Sequence, residues 1–281
     1  MVSKKLMAAG RPGPNPAERP EHHRSRVGER PQWGPALLLT VLLILSAVPA
    51  LADGVKKTVT FAADPNWPPL EFVENNQVVG YSVDYFTAVC REMGREAVFV
   101  KADWDSIFDR LNAGDYDAVM SSVTITAERR QAMDFTIPYY IVRQSLLVGQ
   151  DSPLANIRQL KDKRVGTQAD TTATGIVEKI PGVTSKTYPD IESAIRALAA
   201  GELDAVVCED VVASAFLKDP TLSGKIRMAS VVETPGAEEL YGVAVRKDNF
   251  DMLVLLNDGI KAVKAKGIEN DLRRKWITGA N

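Results

Sequence analysis

Histidine is scarce in this sequence of 281 residues, and its position limits the chemistry that the chain can carry out. The only two histidines, His22 and His23, both lie in a basic N-terminal stretch. If that stretch is removed, the remainder has no histidine, which excludes Ser-His-Asp and Cys-His catalysis and histidine-based zinc sites. An enzyme would then have to use carboxylates, lysine, tyrosine or the two cysteines.

An apolar run long enough to span a membrane is also lacking. Residues 36–48 form an uncharged run of 13 residues, whereas a membrane-spanning helix needs roughly 20. Basic residues precede this run, and Ala50 and Ala52 place small side chains before a cut ahead of Asp53. This order is typical of a secretory signal peptide. We therefore predict that residues 1–52 are a signal peptide and that the mature chain is periplasmic, with an uncleaved anchor as the alternative.

The chain has no excess of basic residues outside its N-terminus. Residues 1–34 hold seven of the 34 Lys and Arg and three of the 36 Asp and Glu, and residues 35–52 hold none of either kind. The 27 basic and 33 acidic residues that remain give residues 53–281 a formal charge of −6. Because binding to a nucleic-acid backbone needs a basic face, we expect no nucleic-acid partner.

An internal echo is the strongest sign of organisation in the chain. Leu111–Met120 (LNAGDYDAVM) matches Leu198–Val207 (LAAGELDAVV), and each copy reads as the end of an amphipathic helix, a glycine and a short buried strand. The offset of 87 residues is too long for a solenoid repeat. It favours two α/β lobes, each a sheet flanked by helices.

The two lobes are predicted to be joined by two crossover strands, which would leave a cleft between them. Apolar strands predicted at 145–148 and 241–246 flank the second lobe in sequence, and a helical stretch at 252–276 is expected to return to the first lobe. Open α/β sheets bind ligands beyond the carboxyl ends of their strands, so the cleft is the expected ligand site. The predicted boundaries are 53–145 and 241–281 for lobe 1 and 146–240 for lobe 2.

Only two cysteines are present. Cys90 falls in a predicted helix and Cys208 at the end of a predicted strand, in different lobes. Although disulfides are common in exported proteins, a bridge here would clamp the hinge. We therefore expect two free, buried thiols.

Polar and aromatic side chains follow the predicted strands at the ends that face the cleft. Arg129 stands in the first turn of a short helix, where a cation opposes the helix dipole, so its planar fork invites an anionic partner. The alternatives are a solvated surface arginine, simple N-capping for Thr171 and Thr172, and core packing for Trp67 and Trp104. An arginine, several hydroxyls, carboxylates and two tryptophans together would hold an α-amino acid. The predicted ligand-binding residues are Asp64, Trp67, Trp104, Ser121, Ser122, Thr124, Arg129, Gln168, Thr171, Thr172 and Glu209.

Over residues 57–277 the chain resembles the periplasmic amino-acid-binding proteins of ABC importers, solute-binding protein family 3. The resemblance implies the two-lobed type II periplasmic-binding fold, also called the Venus-flytrap fold. One departure, Ser82 in place of an acid in the second motif, is expected to be a surface change. The motifs that carry the resemblance are ADPNWPPLEF (63–72), GYSVD (80–84), DWD (103–105), GDYDA (114–118), TITAER (124–129), DFT (134–136), PYY (138–140), VGTQ (165–168) and DAVV (204–207).

The resemblance also implies how the two ends of an amino acid are held. Arg129 matches the arginine that grips the ligand α-carboxylate, with help from Thr124 and Thr172. Ser122 matches a residue whose carbonyl oxygen accepts a hydrogen bond from the α-ammonium group. Glu209 matches the acid that pairs with the same group, although the family usually has Asp there.

The ligand side chain is predicted, from the same resemblance, to lie against Trp67 and Trp104. Asp64 matches an acid that often meets a polar or cationic side chain. Asp170 replaces a glycine of the family pattern and adds negative charge. With Asp64, Glu209 and two tryptophans, this departure favours a cationic ligand.

We therefore expect a monomeric, non-enzymatic receptor that needs no cofactor or metal. It would capture an amino acid in the interlobe cleft and deliver it to the membrane permease of an ABC transporter. The alternative is a periplasmic dehydratase of the cyclohexadienyl dehydratase type on the same scaffold, with Glu209 as the proton donor. A receptor that signals through a partner, without an importer, is a third possibility.

Overall fold

The computed structural model describes residues 57–233 and 238–279, and the predicted signal peptide at 1–52 lies outside them. The strands are β1 (Thr58–Ala63), β2 (Asn66–Trp67), β3 (Glu71–Glu74), β4 (Gln77–Val79), β5 (Glu96–Lys101), β6 (Ala118–Val119), β7 (Met133–Phe135), β8 (Tyr140–Gly149), β9 (Arg164–Gln168), β10 (Thr184–Tyr188), β11 (Ala205–Glu209), β12 (Ile226–Val231), β13 (Glu238–Tyr241) and β14 (Ala244–Arg246). The α-helices are α1 (Tyr81–Glu92), α2 (Trp104–Ala113), α3 (Arg129–Ala132), α4 (Thr172–Val177), α5 (Ile191–Ala199), α6 (Asp210–Phe216), α7 (Phe250–Ala265) and α8 (Ile268–Arg273). A 3₁₀ turn at Ile157–Gln159 and a π-helical turn at Arg274–Thr278 complete the helical elements.

Two main sheets organise these elements. The first has the strand order β5-β1-β6-β14-β7, in which β1 runs parallel to β5 and β6. The second has the order β10-β9-β11-β8-β12, with β13 also paired to β8 and with β9 parallel to β10 and β11. A small sheet, β2-β3-β4, follows the first strand. The predicted α/β architecture of two sheets flanked by helices is confirmed.

Two chain segments connect the main sheets. One runs from β7 in the first sheet to β8 in the second, and the other runs from β13, paired to β8, to β14 in the first sheet. The crossover at 241–246 differs from the single predicted strand, because it divides into β13 and β14 around Gly242. A Cβ at Gly242 would lie 2.8 Å from Cδ1 of Ile125, so a larger residue at this position would require the Ile125 side chain to shift.

The echoed segments form the same local structure in both sheets. Asp103 and Asp190 stand at the N-cap positions of α2 and α5, and the Asp190 carboxylate accepts a hydrogen bond from the backbone N–H of Ser193. Each helix leads into a short buried strand, β6 or β11. In the first sheet β6 runs parallel to β1, and in the second β11 runs parallel to β9. The carboxyl ends of the two strands in each pair therefore lie at the same edge of their sheet.

Other predictions are confirmed or corrected by the packing. Cys90 and Cys208 are both buried and free, as expected. The helical stretch 252–276 is interrupted after Ala265 and continues as α8 and the π-helical turn. Ser82 was expected at the surface and is fully buried, with its hydroxyl 3.4 Å from the Tyr139 hydroxyl. In the described part of the chain, no helix combines the length and the apolar character needed to cross a membrane.

Candidate functional site

The strand ends of both sheets meet around one narrow cavity. Each strand end contributes a side chain because β1, β6, β9 and β11 all end at this edge of their sheets. The structure brings together all eleven residues selected from the sequence, and their role as ligand contacts stays a prediction. The cavity is lined by Asp64, Trp67, Trp104, Ser121, Ser122, Thr124, Arg129, Gln168, Thr171, Thr172 and Glu209.

Arg129 is held in place by contacts within the chain. Its backbone N–H donates to the Thr126 hydroxyl at 3.0 Å, and the helix α3 begins at Arg129. The guanidinium carbon lies 5.4 Å from the ring centre of Trp104 and 5.6 Å from that of Phe108. Burial lowers the pKa of Arg129, but an arginine remains cationic at neutral pH. The aromatic rings therefore support a fixed positive charge at the cavity.

Contacts cross the cavity from one sheet to the other. The Arg129 side chain donates from Nη1 to the backbone oxygen of Thr124 at 3.0 Å and from Nη2 to that of Asp170 at 3.2 Å. The Gln168 amide donates to Oδ2 of Asp64 at 3.4 Å. Gln168 is the last residue of β9 in the second sheet and Asp170 comes shortly after it, whereas Asp64 and Arg129 come after strands of the first sheet. These bonds therefore hold the two strand edges close together.

Asp64 and Glu209 are the two acids in the cavity wall. Asp64 is 8% exposed and Glu209 is 4% exposed. Burial raises the pKa of Asp64 to about 6, against the opposing effect of hydrogen bonds from Gln168 and Asn66. Burial, with the nearby charge of Glu239, raises the pKa of Glu209 to about 7. Both carboxyl groups therefore lose their proton as the pH rises through the neutral range, and a bound cation would favour the ionised form.

Glu239 and Gln144 belong to the same network and were not selected from the sequence. Oε2 of Glu239 accepts hydrogen bonds from the hydroxyls of Thr124 at 2.6 Å and Thr172 at 2.7 Å. Nε2 of Gln144 donates to Oε1 of Glu239 at 3.1 Å and to Oε1 of Glu209 at 3.2 Å. A buried amide between two carboxylates can only turn its N–H side toward them.

A sequence signal for Glu239 and Gln144 existed. Residues two apart share one face of a strand, so Glu239 lies on the same face of β13 as Tyr241, which is fully buried. Gln144 is a polar residue in the strand Tyr140–Gly149, in which most of the side chains are buried. A buried polar residue in such a strand needs a hydrogen-bond partner. This signal lies outside the sequence motifs from which the site was predicted.

A further carboxyl lies behind the cavity wall. Glu71 on β3 is fully buried, and burial raises its pKa to about 8, against the lowering effect of the Ser122 and Ser82 hydroxyls. At neutral pH Glu71 is therefore mainly protonated and adds little charge. Within residues 57–233 and 238–279, no group of three or more His, Cys, Asp or Glu side chains is placed to hold a metal ion. The cavity thus offers one fixed cation, two acids and several hydroxyl and amide groups.

The family model of the bacterial extracellular solute-binding proteins, family 3, matches residues 59–279. The chain belongs to this family. ABC transporter arginine-binding protein 1 of Escherichia coli (strain K12) is 29% identical over 239 residues, which cover 84% of this chain and 98% of the relative. The relatives are named as binding proteins, and this family member is a solute-binding protein rather than an enzyme.

Solved structures of amino-acid-binding proteins share the fold of this family member. An ancestral arginine-binding protein bound to arginine matches with a TM-score of 0.74 and 30% identity, covering 80% of this chain and 99% of the other. The arginine-, lysine-, histidine-binding protein ArtJ from Geobacillus stearothermophilus matches with a TM-score of 0.73 and 30% identity, covering 80% and 97%. The two-lobed type II periplasmic-binding fold inferred from the sequence is confirmed.

Proposed function

We propose that this solute-binding protein captures a cationic amino acid between two lobes outside the cytoplasm and delivers it to the permease of an ABC transporter. The proposed lobes are residues 53–145 with 241–281, and residues 146–240, with the first boundary falling inside β8, which pairs wholly in the second sheet. A signal peptide at 1–52 would direct the chain to the periplasm. The names of the arginine-binding relative and of ArtJ support this ligand class.

The observation that carries the proposal is the charge balance of the cavity. Arg129 supplies one positive charge, while Asp64 and Glu209 supply two carboxyl groups in the wall and Glu239 a third directly behind it. A zwitterion with an uncharged side chain adds no net charge to this set. A ligand such as arginine adds one positive charge, so it balances the acids better and favours their ionised forms.

A binding mode follows from the positions of these groups. The ligand carboxylate would pair with the Arg129 guanidinium, whose planar fork matches a carboxylate. The α-ammonium would lie at Glu209 and the backbone oxygen of Ser122. The long side chain would extend between Trp67 and Trp104 toward Asp64. Since Arg129 and Glu209 belong to different lobes, a ligand that contacts both favours the closed form.

A thermal unfolding series tests the proposal. The purified protein is unfolded and refolded to remove bound ligand, and then heated with L-arginine, L-lysine, L-histidine, L-glutamine or L-glutamate. Ligand at 100 times its dissociation constant stabilises the folded state by about 2.7 kcal/mol, which raises the midpoint by roughly 5–10 °C for this size. A shift with cationic amino acids and none with glutamate is expected. No shift with any of the five would refute the proposal.

A further inference from the structure

Glu239 lies behind the residues that line the cavity and accepts hydrogen bonds from both sides of it. It lies on β13, one of the segments that connect the two sheets, and it is 6% exposed. The two threonines whose hydroxyls donate to it belong to opposite sides, because Thr124 follows β6 of the first sheet and Thr172 begins α4 after β9 of the second. One carboxylate oxygen therefore connects the two strand edges that close over the cavity.

These bonds change what the two threonines offer to a ligand. A hydroxyl has one hydrogen to donate and two lone pairs that accept. The hydrogens of Thr124 and Thr172 are directed to Oε2 of Glu239, so their oxygens face the cavity chiefly as acceptors. A ligand carboxylate at Arg129 would have to compete with Glu239 for these hydrogens, and the Thr172 oxygen already accepts a hydrogen bond from Nε2 of Gln144 at 3.4 Å.

The second oxygen of Glu239 connects it to the acid in the cavity wall. Gln144 donates to Oε1 of both Glu239 and Glu209, and its own carbonyl oxygen has no hydrogen-bond partner in the described part of the chain. The amide thus holds two carboxylates near each other in a buried setting. Their negative charges add at the cavity, where Arg129 is the lining residue of opposite charge.

From this geometry we infer that Glu239 is a specificity-determining residue, which selects ligands of net positive charge through the negative charge that its hydrogen bonds to Thr124, Thr172 and Gln144 fix behind the cavity wall. The inference deepens the proposed function and rests on it. Glu239 acts through its charge and is not itself part of the cavity wall. Its removal should therefore change the preference between ligands more than it changes binding in general.

The test compares arginine with citrulline, which has nearly the same shape but a neutral side chain. In Glu239→Gln, the ratio of the citrulline to the arginine dissociation constant should fall at least about tenfold, the scale expected for two charges several ångströms apart at an effective dielectric constant near 20. Glu238→Gln is the matched control, because it removes the same charge from an exposed neighbour on the same strand. Calorimetric titration of the purified proteins with both ligands should show an unchanged ratio in this control.

Two outcomes overturn the inference. If the wild type binds arginine and the ratio in Glu239→Gln equals that of the wild type, Glu239 has only a structural role while the proposed function stands. If the wild type binds neither ligand, both the proposed function and the inference fail. Should Glu239→Gln not fold, Glu239→Asp withdraws the carboxylate from the hydroxyls, and it should weaken arginine binding more than citrulline binding. Equal losses for the two ligands would then overturn the inference.

Discussion

Replacing Arg129 by alanine removes the one positive charge in the cavity wall. The guanidinium is held by two backbone oxygens and two aromatic rings, so it is already oriented when the ligand carboxylate arrives. Truncating one partner of a buried, hydrogen-bonded charge pair costs about 2–5 kcal/mol. Arg129→Ala should therefore weaken arginine binding by about 30- to 4,000-fold.

The fold should survive this change, because Arg129 lies at the cavity and is only half-buried. Arg130→Ala is the matched control, since Arg130 is the exposed neighbour and its guanidinium lies over Phe135 at 5.9 Å, away from the cavity. Calorimetric titration with arginine measures the dissociation constants, and the unfolding midpoint reports whether each variant is folded. A folded Arg129→Ala variant that binds within threefold of wild type would refute the pairing of Arg129 with the ligand carboxylate.

Three further predictions concern pH and backbone geometry. Arginine affinity should rise from pH 5 to pH 8, because burial raises the pKa of Asp64 to about 6 and that of Glu209 to about 7, and a cation favours their ionised forms; a flat calorimetric profile would contradict this. Without ligand, both groups have a pKa above the unfolded value, so their contribution to stability is present below about pH 4 and is lost as the pH rises through 6 and 7. The unfolding free energy is measured in urea for the wild type and for the variants Asp64→Asn and Glu209→Gln. The stability that each variant loses relative to the wild type should decrease as the pH rises, and an increase with pH would be the wrong sign. Gly80→Ala should cost at least about 2 kcal/mol in urea unfolding, because at φ 131° its Cβ would lie 2.2 Å from the backbone oxygen of Leu70. The same change at Gly94, where nothing lies within 4 Å of the added Cβ, should cost about 1 kcal/mol. Equal losses of stability in the two variants would refute the steric reason.

The sequence was most informative where local pattern and strand direction agree. The echo placed a helix, a glycine and a buried strand twice, and both strands end at the same cavity. Because open α/β sheets bind ligands beyond the carboxyl ends of their strands, the positions of Ser121 and Glu209 at the ends of the two echoed strands predict that both face the cleft. Arg129 could be selected because a cation in the first turn of a helix is electrostatically unusual.

The remaining features depend on tertiary packing that no local pattern describes. Glu239 lies on a crossover strand, and its partners Thr124 and Thr172 are 115 and 67 residues away in sequence. The close approach of Ile125 to Gly242, at the break in the crossover, joins positions 117 residues apart in sequence. The buried hydroxyl of Ser82 lies 3.4 Å from the hydroxyl of Tyr139, 57 residues later. Each of these features needs a long-range contact that spacing within one element cannot predict.

The most direct test of the account is a crystal structure of the purified protein grown with L-arginine. We expect density for one ligand in the cavity between the two sheets, with its carboxylate about 3 Å from the Arg129 guanidinium nitrogens and its ammonium at a similar distance from Glu209. The guanidinium group of the ligand should lie between Trp67 and Trp104, toward Asp64. Arginine bound elsewhere, or bound with its carboxylate at Glu209 and its ammonium at Arg129, would contradict the account.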